Sequence, residues 1–305
     1  MNTYEGILPI HKPAGFTSHD VVAKCRGMLK MKRIGHTGTL DPAVTGVLPL
    51  CLGRATRMVE YLQDLPKEYE ATLVLGVATD TEDMTGEIIE RVEEVQVTEE
   101  EVRQILSRFV GTISQIPPMY SALKQDGKRL YELAREGKTV ERKPREVTIY
   151  ELELLAFHSE GPHPRISFRA MCSKGTYIRT LCVDIGRALG VPAAMTELKR
   201  TMSAGITESH CLTLDEVAHH VADGSLQQYL LPVDRAVEHL PAHTVSAEKV
   251  KAALQGQRLS SSVVSPAVKR GETLRLYSPE RQFLGIFRME EETLAVKAVK
   301  VFLPE

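Results

Sequence analysis

"RIGHTGTLDPAVTGVLPL", residues 33–50, contains one acidic residue, Asp41, among glycines, threonines and prolines. Asp-Pro pairs favour turns, and an aspartate carboxylate accepts hydrogen bonds from nearby backbone N–H groups. The glycines allow a ligand to approach the backbone closely, but no Gly-Lys-Ser/Thr follows them, so they do not form a phosphate-binding P-loop. The stretch therefore leaves two interpretations of Asp41, a turn residue or a reactive carboxylate.

The composition is typical of a soluble globular protein, with 305 residues that are 43% hydrophobic and 26% charged. This length allows one large domain, or a large domain and a small one. No apolar run approaches the roughly 20 residues that a membrane helix needs, and the first residues lack the pattern of a secretory signal. We therefore expect a cytoplasmic protein that does not enter the membrane.

The cysteines and histidines give no pattern of a disulfide framework or a metal site. The five cysteines are scattered and include no C-x-x-C pair. The adjacent histidines, His219 and His220, would point to different sides of a helix. We expect no bound metal.

Charge is unevenly distributed along the chain, although the net charge is only −2. Residues 21–33 carry five basic side chains and no acidic one, whereas residues 82–101 carry nine acidic side chains and a single arginine. This segregation suits a protein with one side that faces an anionic partner. Ordinary charged helix faces are the alternative interpretation.

Hydrophobic periodicity predicts a chain of alternating helices and strands. Helices are predicted over 18–31, 53–63 and 98–110, between Thr176 and Gly190, and after a capping box formed by Thr213 and Glu216. Strands are predicted at the start of KEYEATLVLGVATDTEDMTGE and over 147–155 and 165–172.

Two segments differ in character from the rest of the chain. Residues 114–146 are bounded by prolines, rich in charge and only briefly periodic, which is typical of an excursion from a core. After residue 240, a short helix at 246–255 precedes three strand-like runs, ETLRLYS, QFLGIFRM and TLAVKAVKVFL. These runs predict a small β-rich domain at the C-terminal end.

Five blocks of the sequence, in order over roughly residues 5–205, closely resemble the TruB family of tRNA pseudouridine synthases. They are KPAGFTSHDVV, GHTGTLDPAVTGVLPL, GRATR, KEYEATLVLGVATDTEDMTGE and CSKGTYIRTLCVDIG. The C-terminal segment is more loosely similar to a PUA-type RNA-binding domain. The resemblance implies an α/β (α+β) fold. Residues 1–240 would form a pseudouridine synthase domain with a mixed, largely antiparallel sheet flanked by helices. An RNA-contacting insertion is expected near 114–146, and a small PUA-like domain at 241–305.

The resemblance implies that the chain isomerises the uridine at position 55 in the T-loop of tRNA to pseudouridine. The N1–C1′ bond breaks and the ribose rejoins the base at C5, a redox-neutral rearrangement for which no cofactor is expected. In GTLDP, the resemblance makes Asp41 the catalytic carboxylate. A carboxylate is able to act as nucleophile and later to assist removal of the C5 proton. Attack at C6, attack at C1′ and elimination all remain open.

The same resemblance assigns five further residues to the site. His36 would fill the space that the flipped base vacates, and Tyr69 would stack on that base. Arg179 would pair with the catalytic carboxylate and Leu198 would pack near the uracil. Lys12 falls in the KP motif near the site. For His36, Tyr69 and Arg179 a structural alternative exists, since a lone histidine, a strand tyrosine or a helix arginine commonly serves packing or solvation.

Asp80 and Asp83 in TDTED have the spacing of paired carboxylates. A solvated turn is the simpler interpretation of these two residues. The resemblance places their loop near the site without making either residue catalytic.

The partner implied by the resemblance is the T-stem-loop of tRNA. The basic helix at 18–31 and the insertion at 114–146 are expected to contact phosphates, with binding weakened by salt. We expect a monomer without an obligate protein partner. Three alternatives remain: an RNA-binding protein without catalysis, a guide-dependent synthase of the dyskerin type, and a glycosylase that releases free base.

Overall fold

The computed structural model describes residues 4–125 and 127–303. One position of the predicted insertion, residue 126, and the outer ends of both predicted domains, 1–3 and 304–305, lie outside the described residues. Within the described part, most strands belong either to a nine-stranded sheet or to a six-stranded sheet. No helix in this part combines the length and apolarity needed to cross a membrane.

The nine-stranded sheet and two small hairpins are built from the strands that precede residue 240. They are β1 (Gly6–Lys12), β2 (Ile34–His36), β3 (Thr45–Leu52), β4 (Lys67–Leu75), β5 (Val77–Thr79), β6 (Ile88–Arg91), β7 (Gly111–Gln115), β8 (Lys124–Gln125), β9 (Lys128–Arg129), β10 (Arg145–His158), β11 (Arg165–Cys172), β12 (Ala193–Ser203) and β13 (Ile206–Thr207).

The large sheet has the order β1-β3-β12-β4-β11-β10-β7, with β2 beside β3 and β13 beside β12. Its strand pairs are antiparallel except for β12 and β3, which are parallel. The prediction of a mixed, largely antiparallel sheet is therefore confirmed. β4 and β12 lie at its centre.

The helices of this part flank the sheet. They are α1 (Ser18–Leu29), α2 (Val59–Asp64), α3 (Glu99–Arg108), α4 (Leu130–Arg135), α5 (Ile178–Ala188) and α6 (Leu214–Ala222). The capping boxes predicted at Thr98 and Thr213 are both present. The predicted helix at 53–63 divides into a 3-10 turn, Gly53–Met58, followed by α2.

Two hydrophobic clusters lie against the large sheet and meet at its centre. The first joins α3 and α5 to β4 and β11, with Phe168 fully buried. Burial of such a side chain contributes about 1.5–3 kcal/mol. The second joins α1 and α6 to β1 and β3. Tyr69 and Leu198 contact both clusters, so the two residues lie at the seam of the core.

The predicted insertion, near 114–146, overlaps the end of β7 and the start of β10. It contains the β8–β9 hairpin and α4, whose Leu130 and Leu133 are buried. Arg142 donates to the carbonyl of Pro117 across the base of the segment, at 3.0 Å. The segment is thus attached by local packing and backbone hydrogen bonds.

The C-terminal part forms the six-stranded sheet, in the order β15-β19-β18-β17-β14-β16. Its elements are β14 (Ala242–Val245), α7 (Val250–Leu254), β15 (Leu259–Ser260), β16 (Val264–Ser265), β17 (Thr273–Tyr277), β18 (Phe283–Met289) and β19 (Ala295–Val301). The three predicted strand-like runs are confirmed as β17, β18 and β19.

Contacts near α2 connect the small sheet to the large one. Ile286 and Phe302 share a hydrophobic cluster with residues of the 3-10 turn and α2, among them Met58. The Arg57 guanidinium donates to the carbonyl of Val301, at 2.6 Å. Apolar burial and a hydrogen bond from a side chain to the backbone therefore act together at this junction.

Candidate active site

The loop between β2 and β3 carries Asp41 and has the geometry of a turn. The N–H of Val44 donates to the Asp41 carbonyl at 3.0 Å, and the N–H of Leu40 donates to the Ser18 hydroxyl at 2.9 Å. The first bond uses the backbone carbonyl of Asp41 and the second a neighbouring N–H, while the Asp41 side chain remains 47% exposed. The turn and the reactive carboxylate are therefore compatible interpretations of one residue.

The structure brings Asp41 and Arg179 together. Arg179 lies in the first turn of α5, and its side chain is only 8% exposed. One terminal nitrogen lies 3.1 Å from the Asp41 carboxylate and donates to the Tyr120 carbonyl at 2.8 Å. The other terminal nitrogen donates to the Thr81 carbonyl at 3.0 Å. A buried, anchored guanidinium thus holds an exposed carboxylate in place.

Asp83 belongs to this arrangement, although the sequence favoured a solvated turn. Its side chain is 15% exposed, and one carboxylate oxygen lies 3.8 Å from Arg179. The other oxygen accepts from the hydroxyl of Thr81 and the N–H of Thr85. Asp80 fits the solvated-turn interpretation better, because it is exposed and accepts from the N–H of Glu87.

The same loop is tied to α5 by Glu82, a residue that sequence reasoning missed. Glu82 has a φ of 66°, an unusual value for a residue other than glycine. Its carboxylate accepts from the hydroxyl of Thr180 at 2.7 Å. Burial raises the pKa of this carboxyl, and the Thr180 hydroxyl and the Arg179 guanidinium oppose that rise. The loop is therefore fixed beside the residue that orients Asp41.

Tyr69 and Leu198 lie on the central strands of the sheet, β4 and β12. Both are partly buried and contact both hydrophobic clusters. Burial raises the pKa of the Tyr69 hydroxyl, and Arg200 opposes that rise. At this position an aromatic ring is rigidly supported from two sides.

His36 ends β2 at the start of the Asp41 loop. Its Nδ1 accepts a hydrogen bond from the N–H of Gly38 at 3.3 Å. The ring stands edge-on to His19 of α1, with 5.4 Å between centroids. Burial, and then the neighbouring His19, lower the pKa of His36, so the imidazole is neutral at pH 7.

Lys12 is fully buried at the end of β1. Its ammonium donates to the carbonyls of Pro13 at 2.9 Å, Phe16 at 2.5 Å and Pro42 at 3.2 Å. Burial lowers its pKa to about 8, while Asp41 opposes this change. Because Pro42 follows Asp41 directly, the bond to its carbonyl holds the chain beside the carboxylate.

Arg200 is the largest fully buried side chain of the described residues, and sequence reasoning did not select it. It lies within ELKRT, two residues after Leu198, where a charged residue in a strand would ordinarily be assigned to the solvent face. In the sequence, burial of Arg200 was indicated only by its position inside a run of residues that otherwise packs into the sheet.

The basic side chains of residues 21–33 are exposed, including Lys24 and Arg33. Lys24 lies over the ring of Phe16, with 5.4 Å between its nitrogen and the centroid. The hydroxyl of Ser18, at the start of α1, meets the Asp41 loop at Leu40. The basic surface therefore adjoins the loop. In the described part of the chain, no three His, Cys, Asp or Glu side chains form a cluster that could hold a metal ion.

Three family models match consecutive parts of the chain. The model of the TruB family pseudouridylate synthase N-terminal domain matches residues 26–178. The tRNA pseudouridylate synthase B C-terminal domain matches residues 179–238, and the model for the C-terminal part of pseudouridine synthase II TruB matches residues 241–299.

Relatives and solved structures agree with these matches. A tRNA pseudouridine synthase B of Geobacillus thermodenitrificans is 46% identical over 308 residues, which cover 98% of this chain and 99% of the relative. The Bacillus licheniformis protein of the same name is 50% identical over 253 residues, 81% and 82% of the two chains. A chain in a crystal structure of a Cbf5-Nop10-Gar1 complex is 31% identical, with a TM-score of 0.76, over 99% of this chain and 86% of that one.

Proposed function

The chain belongs to the TruB family of pseudouridine synthases and is therefore an isomerase, and we propose that it converts the uridine at position 55 of the tRNA T-loop to pseudouridine. Relatives named tRNA pseudouridine synthase B support tRNA as the substrate. The choice of the T-loop uridine rests on the sequence blocks that resemble the family. The proposed reaction moves the ribose from N1 to C5 of the same base.

The observation that carries this proposal is the ion pair of Asp41 and Arg179. A nucleophile must be accessible to its substrate and fixed in direction. The Asp41 carboxylate is half exposed, whereas its partner is buried and bound to two carbonyls. This combination supports Asp41 as the catalytic carboxylate.

The proposed chemistry needs the uridine outside its stack, which costs a few kcal/mol. In the proposal, His36 fills the vacated space and Tyr69 stacks on the flipped base, a contact worth about 1–3 kcal/mol. Leu198 packs against the uracil, and Lys12 maintains the loop. The N1–C1′ bond breaks, the C5–C1′ bond forms, C5 loses its proton and N1 gains one, so the reaction balances without a cofactor. Attack at C6, attack at C1′ and elimination remain alternative routes.

The proposal extends to partners and location. The exposed basic side chains of residues 21–33 would contact phosphates, and the segment near 114–146 would contact the T-stem. We further propose residues 1–240 as the catalytic domain and 241–305 as a PUA-like RNA-binding domain, acting together as a cytoplasmic monomer that needs no protein partner.

The test is tritium release from a tRNA transcript labelled at C5 of uridine. We expect release of one equivalent of tritium per tRNA, and pseudouridine in the digested product. A transcript with cytidine in place of uridine 55 is the matched control and should release none of the T-loop label. Tight binding of tRNA without release of tritium would indicate an RNA-binding protein that lacks catalysis. Free uracil in the product would indicate a glycosylase.

A guide-dependent synthase is the second candidate, because the chain is similar to a chain of a Cbf5-Nop10-Gar1 complex. The same assay distinguishes the two, since the purified chain alone should modify tRNA. Activity that appears only when a guide RNA and partner proteins are added would favour the second candidate.

A further inference from the structure

We propose that Arg200 is a positioning residue that holds the Asp41 loop against the strand carrying Tyr69; this inference rests on the proposed function. Arg200 lies on β12, between β3 and β4, and is 1% exposed. It therefore does not reach a substrate from the solvent side and acts through its neighbours.

The guanidinium of Arg200 connects the two ends of the Asp41 loop. Its Nε donates to the carbonyl of Val47 at 2.7 Å, on the β3 side of the loop. A terminal nitrogen donates to the carbonyl of Gly38 at 3.4 Å, on the β2 side. Asp41 lies between these two contacts in the chain, so one rigid, planar group spans the base of its loop.

The same side chain reaches the proposed stacking residue. Arg200 is the register partner of Tyr69 between β12 and β4. Burial raises the pKa of the Tyr69 hydroxyl, and the positive charge of Arg200 opposes that rise, so the guanidinium lies near the hydroxyl. Movement of Arg200 would thus shift both the carboxylate loop and the ring.

Close backbone packing fixes the position from which Arg200 acts. Gly46 of β3 is its parallel register partner, and a Cβ at Gly46 would collide with the backbone of Arg200. The two strands are therefore as close as their backbones allow. This close approach fixes the backbone position of Arg200 at the centre of the sheet.

The electrostatic setting argues against a role in stability alone. Within residues 4–125 and 127–303, Arg200 forms no ion pair with a carboxylate, and Lys12 and Lys67 are nearby like charges. A buried charge without a counterion is less favourable than an apolar side chain of similar volume. The carbonyls that compensate this charge, those of Gly38 and Val47, lie on the two sides of the Asp41 loop.

The experiment compares Arg200→Met, Arg200→Lys and the matched control Lys67→Met in single-turnover tritium release with saturating enzyme. Lys67 on β4 is also a buried cation, and it donates to carbonyls at the end of α2, including that of Leu65 at 2.6 Å. Melting temperature and the Kd for tRNA are measured for each variant, so that folding and binding are separated from the chemical step.

For Arg200→Met we expect the single-turnover rate constant to fall by about thirtyfold or more, with the Kd for tRNA within about threefold of wild type. Arg200→Lys should recover part of the rate, since it keeps a charge and a donor. For Lys67→Met we expect the rate constant to stay within about threefold of wild type, whatever the change in its melting temperature.

An unchanged rate constant in Arg200→Met, measured below its melting temperature, would overturn the inference. Equal losses in Arg200→Met and Lys67→Met would do the same, because they would mark a general effect of core damage. If Arg200→Met does not fold, Arg200→Lys decides, and a wild-type rate in that variant contradicts the requirement for a bridging guanidinium. Failure of the proposed function itself is distinguishable, because wild type would then release no tritium.

Discussion

The guanidinium of Arg179 lies 3.1 Å from the carboxylate of Asp41, although the arginine is buried and the aspartate is half exposed. Ion pairs between two exposed side chains contribute only about 0–1 kcal/mol to stability, partly because both chains lose freedom. Here the arginine is already fixed by the carbonyls of Thr81 and Tyr120. We therefore expect the pair to direct the carboxylate, and its removal to affect the reaction more than the fold.

Replacement of Asp41 by asparagine should abolish activity and leave the fold intact. The turn depends on the Asp41 carbonyl, which accepts from Val44, and asparagine keeps that carbonyl. We expect single-turnover tritium release to fall by at least about a thousandfold. The melting temperature and the Kd for tRNA should remain close to wild type. Activity near the wild-type level would assign Asp41 to the turn alone.

Replacement of Arg179 by methionine should reduce both rate and stability. The carbonyls of Thr81 and Tyr120 would each lose a donor, which costs about 1–3 kcal/mol for a buried group. Arg187→Met is the matched control on the same helix, since Arg187 is exposed and, in the part of the chain that the structure describes, pairs with Asp184 alone. Urea denaturation and single-turnover assays should separate the variants, with the control within about 0.5 kcal/mol of wild type. Equal effects in both would contradict a special role for Arg179.

Two substitutions of Tyr69 should separate its ring from its hydroxyl. Tyr69→Leu removes the aromatic face, so the loss of stacking should lower kcat/KM by about ten- to a hundredfold. Tyr69→Phe keeps the face and serves as the matched variant, with a smaller loss. Steady-state kinetics on a T-stem-loop substrate measure both. If the two variants lose activity equally, the hydroxyl and not the stacking surface is required.

Stability should respond to pH through Lys67. Burial lowers the pKa of this lysine to about 8 from the ordinary value of 10.5. Between these values the unfolded chain binds more protons than the folded one, so the free energy of unfolding rises with pH. Burial of the charged lysine therefore lowers the free energy of unfolding by its full amount below pH 8, and has no such effect above pH 10.5.

Urea denaturation of wild type and Lys67→Met at pH 7 and pH 10 tests this sign. The difference in unfolding free energy, wild type minus variant, should increase by roughly 2 kcal/mol between the two pH values. Titrations common to both proteins cancel in that difference. A decrease would show that the folded state favours the charged form of Lys67.

Binding of tRNA should weaken with salt through the basic surface of residues 21–33. Each lost phosphate contact lowers the slope of log K against log salt by about 0.7–0.9. Lys24→Ala should therefore give a smaller slope than wild type. Arg103→Ala is the control, because Arg103 lies on α3 and pairs with Glu99. An equal change in the two variants would argue against a localised RNA surface.

Features that depend on neighbours in the chain were predictable from the sequence. The capping box of α3 is formed by Thr98 and Glu101, three residues apart. The β-strands of the C-terminal part followed from alternation between turn residues. The prediction of a continuous helix at 53–63 was less accurate, since a 3-10 turn precedes α2.

Features that depend on distant parts of the chain were not predictable from local patterns. The parallel pairing of β12 with β3 joins segments far apart in sequence, and no local signal marks it. Asp83 has the spacing of a turn residue, and only folding brings it within 3.8 Å of Arg179. Arg200 has the chemistry of a surface residue, and its burial depends on three neighbouring strands. The pairing of Asp41 with Arg179 was expected only because the surrounding motifs resemble a known family.

The junction at α2 also bears on how the protein could be shortened. Deletion of the residues after 240 would remove Ile286 and Phe302 from the apolar face that includes Met58. Contiguous apolar surface exposed in this way promotes self-association. A truncated chain would therefore be prone to aggregate unless that face were redesigned with polar residues, so the two sheets are expected to have been inherited as a unit rather than exchanged as separate modules.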